Sequence, residues 1–383
     1  MRPFSYRLIL ILPVLIFLTV RQAYVKPRSS ALRPGAKLCA YVANSADGTI
    51  SVVDLVNLNV RANVAVGPLP AGIRSHPTRK EIWGVSTQGG YVWVLDADSN
   101  QIVARIPVGA SPYALNFSPD GTRAFVAASG SNVVVAIDCA SRRIVASAKT
   151  GSAPAMARAT PDGKTLLIVN FGDSTLQAFN TANFNSRFTV GVAGQPTDVA
   201  VLPDSSMAFV AAGGAAKISV VDLKRGILLE NLPLPGRPDS LLLKPDGGEL
   251  YVSVPEAHSI SIINTAAREL ADSFVVGSAP DRGALSDDGA MLYIGDSSSG
   301  RILALDMPYR SLGNCAVSSG PSSCASVGNR PGALRLVPSG DLLLAVDEAS
   351  NDVAVVRVRQ QALQLITLIP VGNSPRDLAI KLF

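Results

Sequence analysis

The strongest constraint on this chain is that it repeats itself. The proline of a loose V-G-x-x-P signature stands at Pro70, Pro112, Pro154, Pro196, Pro238, Pro280, Pro331 and Pro375. The first five intervals are 42 residues each, followed by 51 and 44. A large apolar residue lies 13 positions after each of the first seven prolines: Trp83, Phe125, Leu167, Phe209, Tyr251, Tyr293 and Leu344. Tyr41 opens that series, 42 residues before Trp83. An Asp or Asn forms a third landmark at Asp54, Asp96, Asp138, Asn180, Asp222, Asn264 and Asp306. Landmarks held in register over seven copies mark a repeat architecture, in which each unit buries its apolar face against the next.

Each unit reads as four short strands. In the third they are YALNFS (113–118), RAFVAA (123–128), NVVVAID (132–138) and RIVASAKT (143–150). Pro119-Asp120-Gly121, Pro161-Asp162-Gly163 and Pro245-Asp246-Gly247 supply tight turns, because Pro pre-sets φ, Asp caps and Gly accepts positive φ. The Asp or Asn ending each third strand is placed to accept hydrogen bonds from the following turn. Four strands every 42 residues predict an all-β fold, a β-propeller of four-stranded antiparallel blades. Eight landmark sets predict eight blades; seven blades with one irregular unit is the alternative. The chain starts on a second strand (38–44) and stops after a first strand (376–383). Pairing of these two ends would close the ring and hide two edges.

Composition agrees. At 48% hydrophobic and 16% charged the chain is too apolar for disorder, and 32 Gly with 26 Pro argue against a helical bundle. The net charge of +5 misleads. Residues 1–37 hold seven of the 34 Lys and Arg and no Asp or Glu. The remaining 27 basic residues face 29 acidic ones, a net of −2. With 5% aromatics, this speaks against a nucleic-acid partner, which needs a basic groove and stacking platforms.

Tyr41-Val42-Ala43-Asn44, then DGTISVVD (47–54), then the V-G-x-x-P and PDG elements resemble the YVTN-type β-propeller repeat over about residues 38–383. The resemblance implies the propeller fold and an exported, surface or periplasmic setting. It does not imply an activity, because its broader relatives include lactonase-like propellers and the eight-bladed haem domain of nitrite reductases.

Residues 8–20 (LILILPVLIFLTV) follow Arg2 and Arg7 and read as a secretory signal peptide or an uncleaved signal anchor. Residues 1–20 are therefore a targeting segment, with residues 8–20 as a possible membrane tether. Residues 21–37 are a basic linker and 38–383 the propeller. The expected location is extracytoplasmic: periplasmic, secreted, or anchored facing outward. The unit after Tyr293 carries nine extra residues beyond Asp306, and Cys315 and Cys324 lie inside them. In an exported chain this pair predicts a local disulfide. Cys39 and Cys139, in different blades, are expected to be unpaired core residues.

No Gly-rich phosphate loop, G-x-S-x-G, H-E-x-x-H or Cys-x-x-Cys is present. Asp96 of Asp96-Ala97-Asp98 is the repeat's structural aspartate, so no metal site is assigned, and no cofactor is assigned. His76 falls at a hairpin turn of the second blade and His258 in a loop of the sixth, on opposite faces. Asn116-Phe117-Ser118 matches a glycosylation sequon but falls on an innermost strand.

The first strands line the central channel, so positions where the repeats differ carry the functional signal. Arg74, Arg158 and Arg335 share one ring position, four after the proline. Tyr113, Asp239, Asp281 and Arg376 stand one after it, and Asp198, Arg282 and Asp377 two after it. The candidate ligand-binding residues are Arg74, Tyr113, Arg158, Asp198, Arg282, Arg335 and Arg376. Arg forks suit an anionic small molecule or peptide carboxylate. The competing reading is that these arginines are spent on Asp198, Asp239, Asp281 or Asp377. The leading expectation is a monomeric, extracytoplasmic, non-enzymatic propeller that binds a partner protein, glycan or small ligand. The alternative is a lactonase-like or haem-binding propeller enzyme.

Overall fold

The 42-residue period folds into blades because neighbouring strands in each unit are short and antiparallel and meet through tight turns. The computed structural model describes residues 36–315 and 322–383. The expected targeting segment lies outside them, as does the linker except for Ala36 and Lys37. Among the described residues no helix is long and apolar enough to cross a membrane.

Eight sheets form the ring. Blade 2 runs Pro70–Ser75, Glu81–Ser86, Tyr91–Asp96 and Gln101–Pro107, from the channel outward. Blades 3 to 6 repeat the pattern from Pro112, Pro154, Pro196 and Pro238, although the inner strand of blade 6 is short, Ser240–Leu243. Blade 7 begins at Pro280 and blade 8 at Pro331. Blade 1 combines Leu38–Asn44, Thr49–Asp54 and Asn59–Ala65 with the last strand, Pro375–Leu382, on the inside. Leu38 pairs with Leu382 and Tyr41 with Ala379, so the ring has eight blades and closes through the chain ends.

The apolar landmarks occupy the blade interfaces. Tyr41, Trp83, Phe125, Leu167, Phe209, Tyr251, Tyr293 and Leu344 are all buried. Such a side chain stabilises by about 1.5–3 kcal/mol on burial. Trp83 packs with Val85 and Val94 against Leu115, Val126 and Val135 of blade 3, and the other interfaces follow suit. The third landmark acts as expected: Asp138 Oδ1 accepts the Ser141 N–H at 2.7 Å and Asp222 Oδ1 the N–H groups of Lys224 and Arg225 at 2.9 and 2.8 Å. Cys39 and Cys139 are buried and free.

Two features repeat that the sequence pattern did not disclose. In every blade but blade 6 the inner strand shifts register near its proline, for example between Pro154 and Met156 and between Pro196 and Asp198. Bulges re-aim side chains, and here they act on the ring positions described below. Pairing of the outer strands also shifts register midway, as opposite Val94 and Leu95 in blade 2 and opposite Val220 and Val221 in blade 5. In blade 7 the nine extra residues enter at this point. Its outer strand is split into Ser311–Leu312 and Cys324–Ser326, both paired to Arg301–Asp306. Cys315 and Cys324 form a disulfide with Cα atoms 5.0 Å apart, closing the neck of the insertion.

Candidate functional site

Inner-strand residues two and four after the repeat proline meet across neighbouring blades. Arg74 of blade 2 and Arg335 of blade 8 both reach Asp377 of blade 1, which lies between them. Arg74 Nη1 donates to Asp377 Oδ2 at 3.0 Å and Arg335 Nη2 to Oδ1 at 3.3 Å. Each arginine also donates to the carbonyl before it, Ile73 at 2.7 Å and Leu334 at 2.8 Å. Burial pushes the Arg335 guanidinium below its ordinary pKa, against the pull of Asp377. Arg158 repeats the device in blade 4: it lies 3.5 Å from Asp198 of blade 5 and donates to the Val199 carbonyl. A cleft of about 190 Å³ lies beside the first cluster, lined by Ile73, Arg74, Ser75, Arg335, Leu378 and Ile380 among others.

The other side of the channel is arranged differently. Arg282 of blade 7 is exposed, and among the described residues it makes no ion pair within 4.0 Å. Burial lowers its pKa, but the charges of Asp377, Tyr113, Asp281 and Asp239 outweigh this and leave it raised. Those groups belong to blades 1, 3, 7 and 6, so the side chain projects toward the channel axis. Tyr113 comes from blade 3, opposite blade 7, and is 52% exposed; among the described residues no hydrogen bond reaches its hydroxyl. Asp239 and Asp281 share a side-chain hydrogen bond. Removal from water, then that hydrogen bond and the Asp281 charge, push Asp239 up to about 7. The pair therefore keeps a proton that an ordinary carboxyl has lost. Together these groups set a guanidinium and a phenol near a carboxyl pair that shares one proton.

The backbone distinguishes the same two blades. The residue before the proline is left-handed in six units: Leu69, Ser111, Ala153, Gln195, Arg330 and Ser374, with φ between 48° and 57°. Arg237 and Ala279, which precede the prolines of blades 6 and 7, are not. Asp239, Asp281 and Arg282 follow those two exceptions.

Of the seven candidate residues, the structure brings Arg74, Arg335 and Arg282 around Asp377 and sets Tyr113 near Arg282. Arg158 and Asp198 form a separate pair. Arg376 points elsewhere, its Nε 3.3 Å from Glu348 on a hairpin of blade 8. His76 is buried, packs against Phe117 at 4.9 Å, and accepts the Thr78 and Arg79 N–H groups on Nδ1 at 3.2 and 3.0 Å. It caps a turn, the task Ser118 and Thr160 perform in blades 3 and 4. His258 is exposed, and its Nδ1 bonds to the Ser278 carbonyl. Asn116 donates to the Ala157 carbonyl at 2.8 Å. Among the described residues no three or more His, Cys, Asp or Glu side chains are grouped to hold a metal ion.

The ring, its closure and its repeat define a β-propeller of the class in which blades of one short repeat surround a channel. The chain belongs to the YNCE-like β-propeller family, whose model matches residues 26–291. No curated protein matches it. Similar solved structures include hydrazine synthase of Kuenenia stuttgartiensis, 21% identical with a TM-score of 0.61, over 76% of this chain and 96% of that one. Dihydro-heme d1 dehydrogenase NirN in complex with DHE is 17% identical with a TM-score of 0.71, over 89% and 74%. A functionally unknown protein from Desulfotomaculum acetoxidans DSM 771 is 17% identical with a TM-score of 0.60, over 77% and 97%. At these identities the likeness is one of fold.

Proposed function

We propose that this chain is an extracytoplasmic, non-enzymatic propeller that binds a small anionic ligand, a carboxylate, at one mouth of its channel. The observation that carries the reading is Arg282: a guanidinium aimed at the axis with no ion pair among the described residues, near Tyr113 and the proton-holding Asp239–Asp281 pair. Bound carboxylate would complete the set, since Arg and O–H donors suit carboxylate oxygens. The extracytoplasmic part of the reading rests on the Cys315–Cys324 disulfide, which favours an oxidising compartment, and on the apolar 8–20 segment behind Arg2 and Arg7.

Native mass spectrometry of the protein from its host's exported fractions, with calorimetric titration of succinate and citrate, tests this. An added mass of a carboxylic acid, or saturable heat lost in Arg282→Ala, supports it. Failure of both carboxylates to bind and a bare mass would sink it. A visible absorption band from the same preparation would favour a tetrapyrrole carrier instead.

A further inference from the structure

The hairpin between the second and third strands of blade 8 holds a pair found in no other blade. Cross-strand partners at this position are Asn44–Thr49, Ser86–Tyr91, Ala128–Val133, Asn170–Thr175, Ala212–Lys217, Val254–Ser259 and Asp296–Arg301. All are neutral, singly charged or opposite in charge. In blade 8 they are Asp347 and Asp352. Asp347 is fully buried and Asp352 is 8% exposed. One oxygen of each, Oδ1, is shut from water and finds no donor among the described residues. Two buried carboxylates cannot both stay ionised at such range without a strong cost.

Blade 7 is the control built into the fold. Asp296 occupies the position of Asp347 and is also buried. It receives the N–H groups of Ser278 and Ala279 at 2.9 and 2.8 Å and the Ser299 hydroxyl at 2.7 Å. Burial raises its pKa, but these donors outweigh it and hold Asp296 ionised. Asp347 receives one such bond, the Gly328 N–H at 3.0 Å. Burial and the Asp352 carboxyl push it up to about 8. The charged groups around the hairpin turn away from the pair. Glu348 binds Arg330 of the loop before blade 8 and Arg376 of blade 1, both at 3.3 Å. Asp47 of blade 1 is held by the Asn373 N–H at 2.7 Å. None of them supplies the missing donor.

We propose that Asp347 and Asp352 share one proton, and that its loss on raising the pH is a switch that loosens this hairpin and the channel-mouth loops tied to it. Three ties connect the pair to the mouth. Asp347 holds Gly328, Asn351 Oδ1 accepts the Ser374 N–H at 2.9 Å, and Glu348 holds Arg376. When the proton leaves, two adjacent carboxylates repel and the hairpin that makes all three contacts is strained. The inference stands independently of what the channel binds. In the unfolded chain an ordinary Asp is ionised above about pH 4. Between about 4 and 8, therefore, only the folded chain holds this proton, and stability falls as the pH rises across that range.

Thermal melts of the full chain between pH 5 and 9 test it. The wild type is expected to lose melting temperature steadily up to about pH 8. Asp352→Asn keeps the shape and supplies a permanent amide donor; it is expected to reduce the slope below pH 7, where Asp239 still contributes, to flatten the profile between pH 7 and 8.5, and to melt above wild type at pH 8.5. A wild-type slope retained in Asp352→Asn overturns the proposal. Should that variant not fold, infrared spectroscopy of Asp239→Asn, in which the channel pair is silenced, decides it. A protonated-carboxyl C=O band at pH 7 that is lost on titration to pH 9 supports the shared proton, and its absence at pH 7 overturns it.

Discussion

The two sides of the channel use the same ring positions to different ends. On the side of blades 8, 1 and 2, one aspartate serves two arginines, and the inner strands are stapled together. On the side of blades 6 and 7, acids and an arginine sit at the upper positions with nothing below them to pair with. The cause is visible in the repeat. Where Arg74, Arg158 and Arg335 stand, blades 6 and 7 have Leu242 and Ala284. Asp239 and Asp281 therefore turn to each other, and Arg282 turns to the axis. The same backbone scaffold yields a closed charge cluster or an open one, depending on one side chain two residues further along. A closed cluster contributes to stability, and an open one is available to a ligand.

If that division is right, the largest effect on stability comes from the closed side. Asp377→Ala leaves Arg74 and Arg335 with only their own preceding carbonyls as acceptors. Removing one partner of a buried ion pair costs about 3–5 kcal/mol. Both arginines keep roughly a third of their surface wet, so screening reduces this to about 2–3 kcal/mol. Urea denaturation should show the midpoint fall with the slope unchanged. A loss below about 0.5 kcal/mol, the range of ordinary surface substitutions, would remove the staple from the comparison.

Arg282→Ala probes the open side and should do the opposite. With no ion pair to break, stability stays within about 0.5 kcal/mol of wild type. Affinity for a carboxylate should fall by about ten- to a hundredfold, the worth of one charge-assisted hydrogen bond. A variant that unfolds readily would instead place Arg282 among the structural arginines.

How much of this could be read from the chain follows from what the repeat encodes. The four-strand blade and the turn-capping role of Asp138 and its equivalents were legible because they depend on neighbours within one 42-residue unit, and blade number and closure followed from counting the units and from the strand types at the two chain ends. The Arg158–Asp198 pair and the Asp377 cluster were within reach too, because ring positions two and four after the proline can be counted. What was not legible depends on backbone detail. The register shift near the proline decides which way Arg282 and Arg376 turn, and the first goes to the axis while the second goes to Glu348. The split outer strand of blade 7 needed knowledge that outer strands shift register midway. The Asp347–Asp352 pair carried a signal that a reader could have used: it is the one hairpin position where both cross-strand residues bear the same charge.

The open side should also respond to pH through Asp239. Its carboxyl is held protonated up to about 7, by burial first and then by Asp281. While the pair holds its proton it carries a single negative charge; once the proton leaves it carries two and repels an anion more strongly. Affinity for succinate should therefore decline as the pH rises through about 7, and Asp239→Asn should flatten that dependence. The group's folded pKa lies above its unfolded value, so the same proton makes stability decline with rising pH between about 4 and 7. Titrations at pH 5.5, 7 and 8.5 separate the two effects, since the stability term appears in melts without ligand.

The smallest effect tests whether the open side spans the channel. Tyr113 lies on blade 3, opposite Arg282, and among the described residues its hydroxyl has no hydrogen-bond partner. Tyr113→Phe keeps the ring, its packing and the 52% exposure of the position nearly unchanged, so the melting temperature should not move. A neutral hydrogen bond is worth about 0.5–1.5 kcal/mol, which predicts a two- to tenfold weaker carboxylate affinity. Combining it with Arg282→Ala sharpens the point. If one ligand bridges both blades, the double variant should lose less than the two single losses added together, because removing either anchor already frees the ligand from the other. Full additivity would mean that the two residues hold separate ligands or none in common, and the open side would then be two half-sites facing each other across the ring.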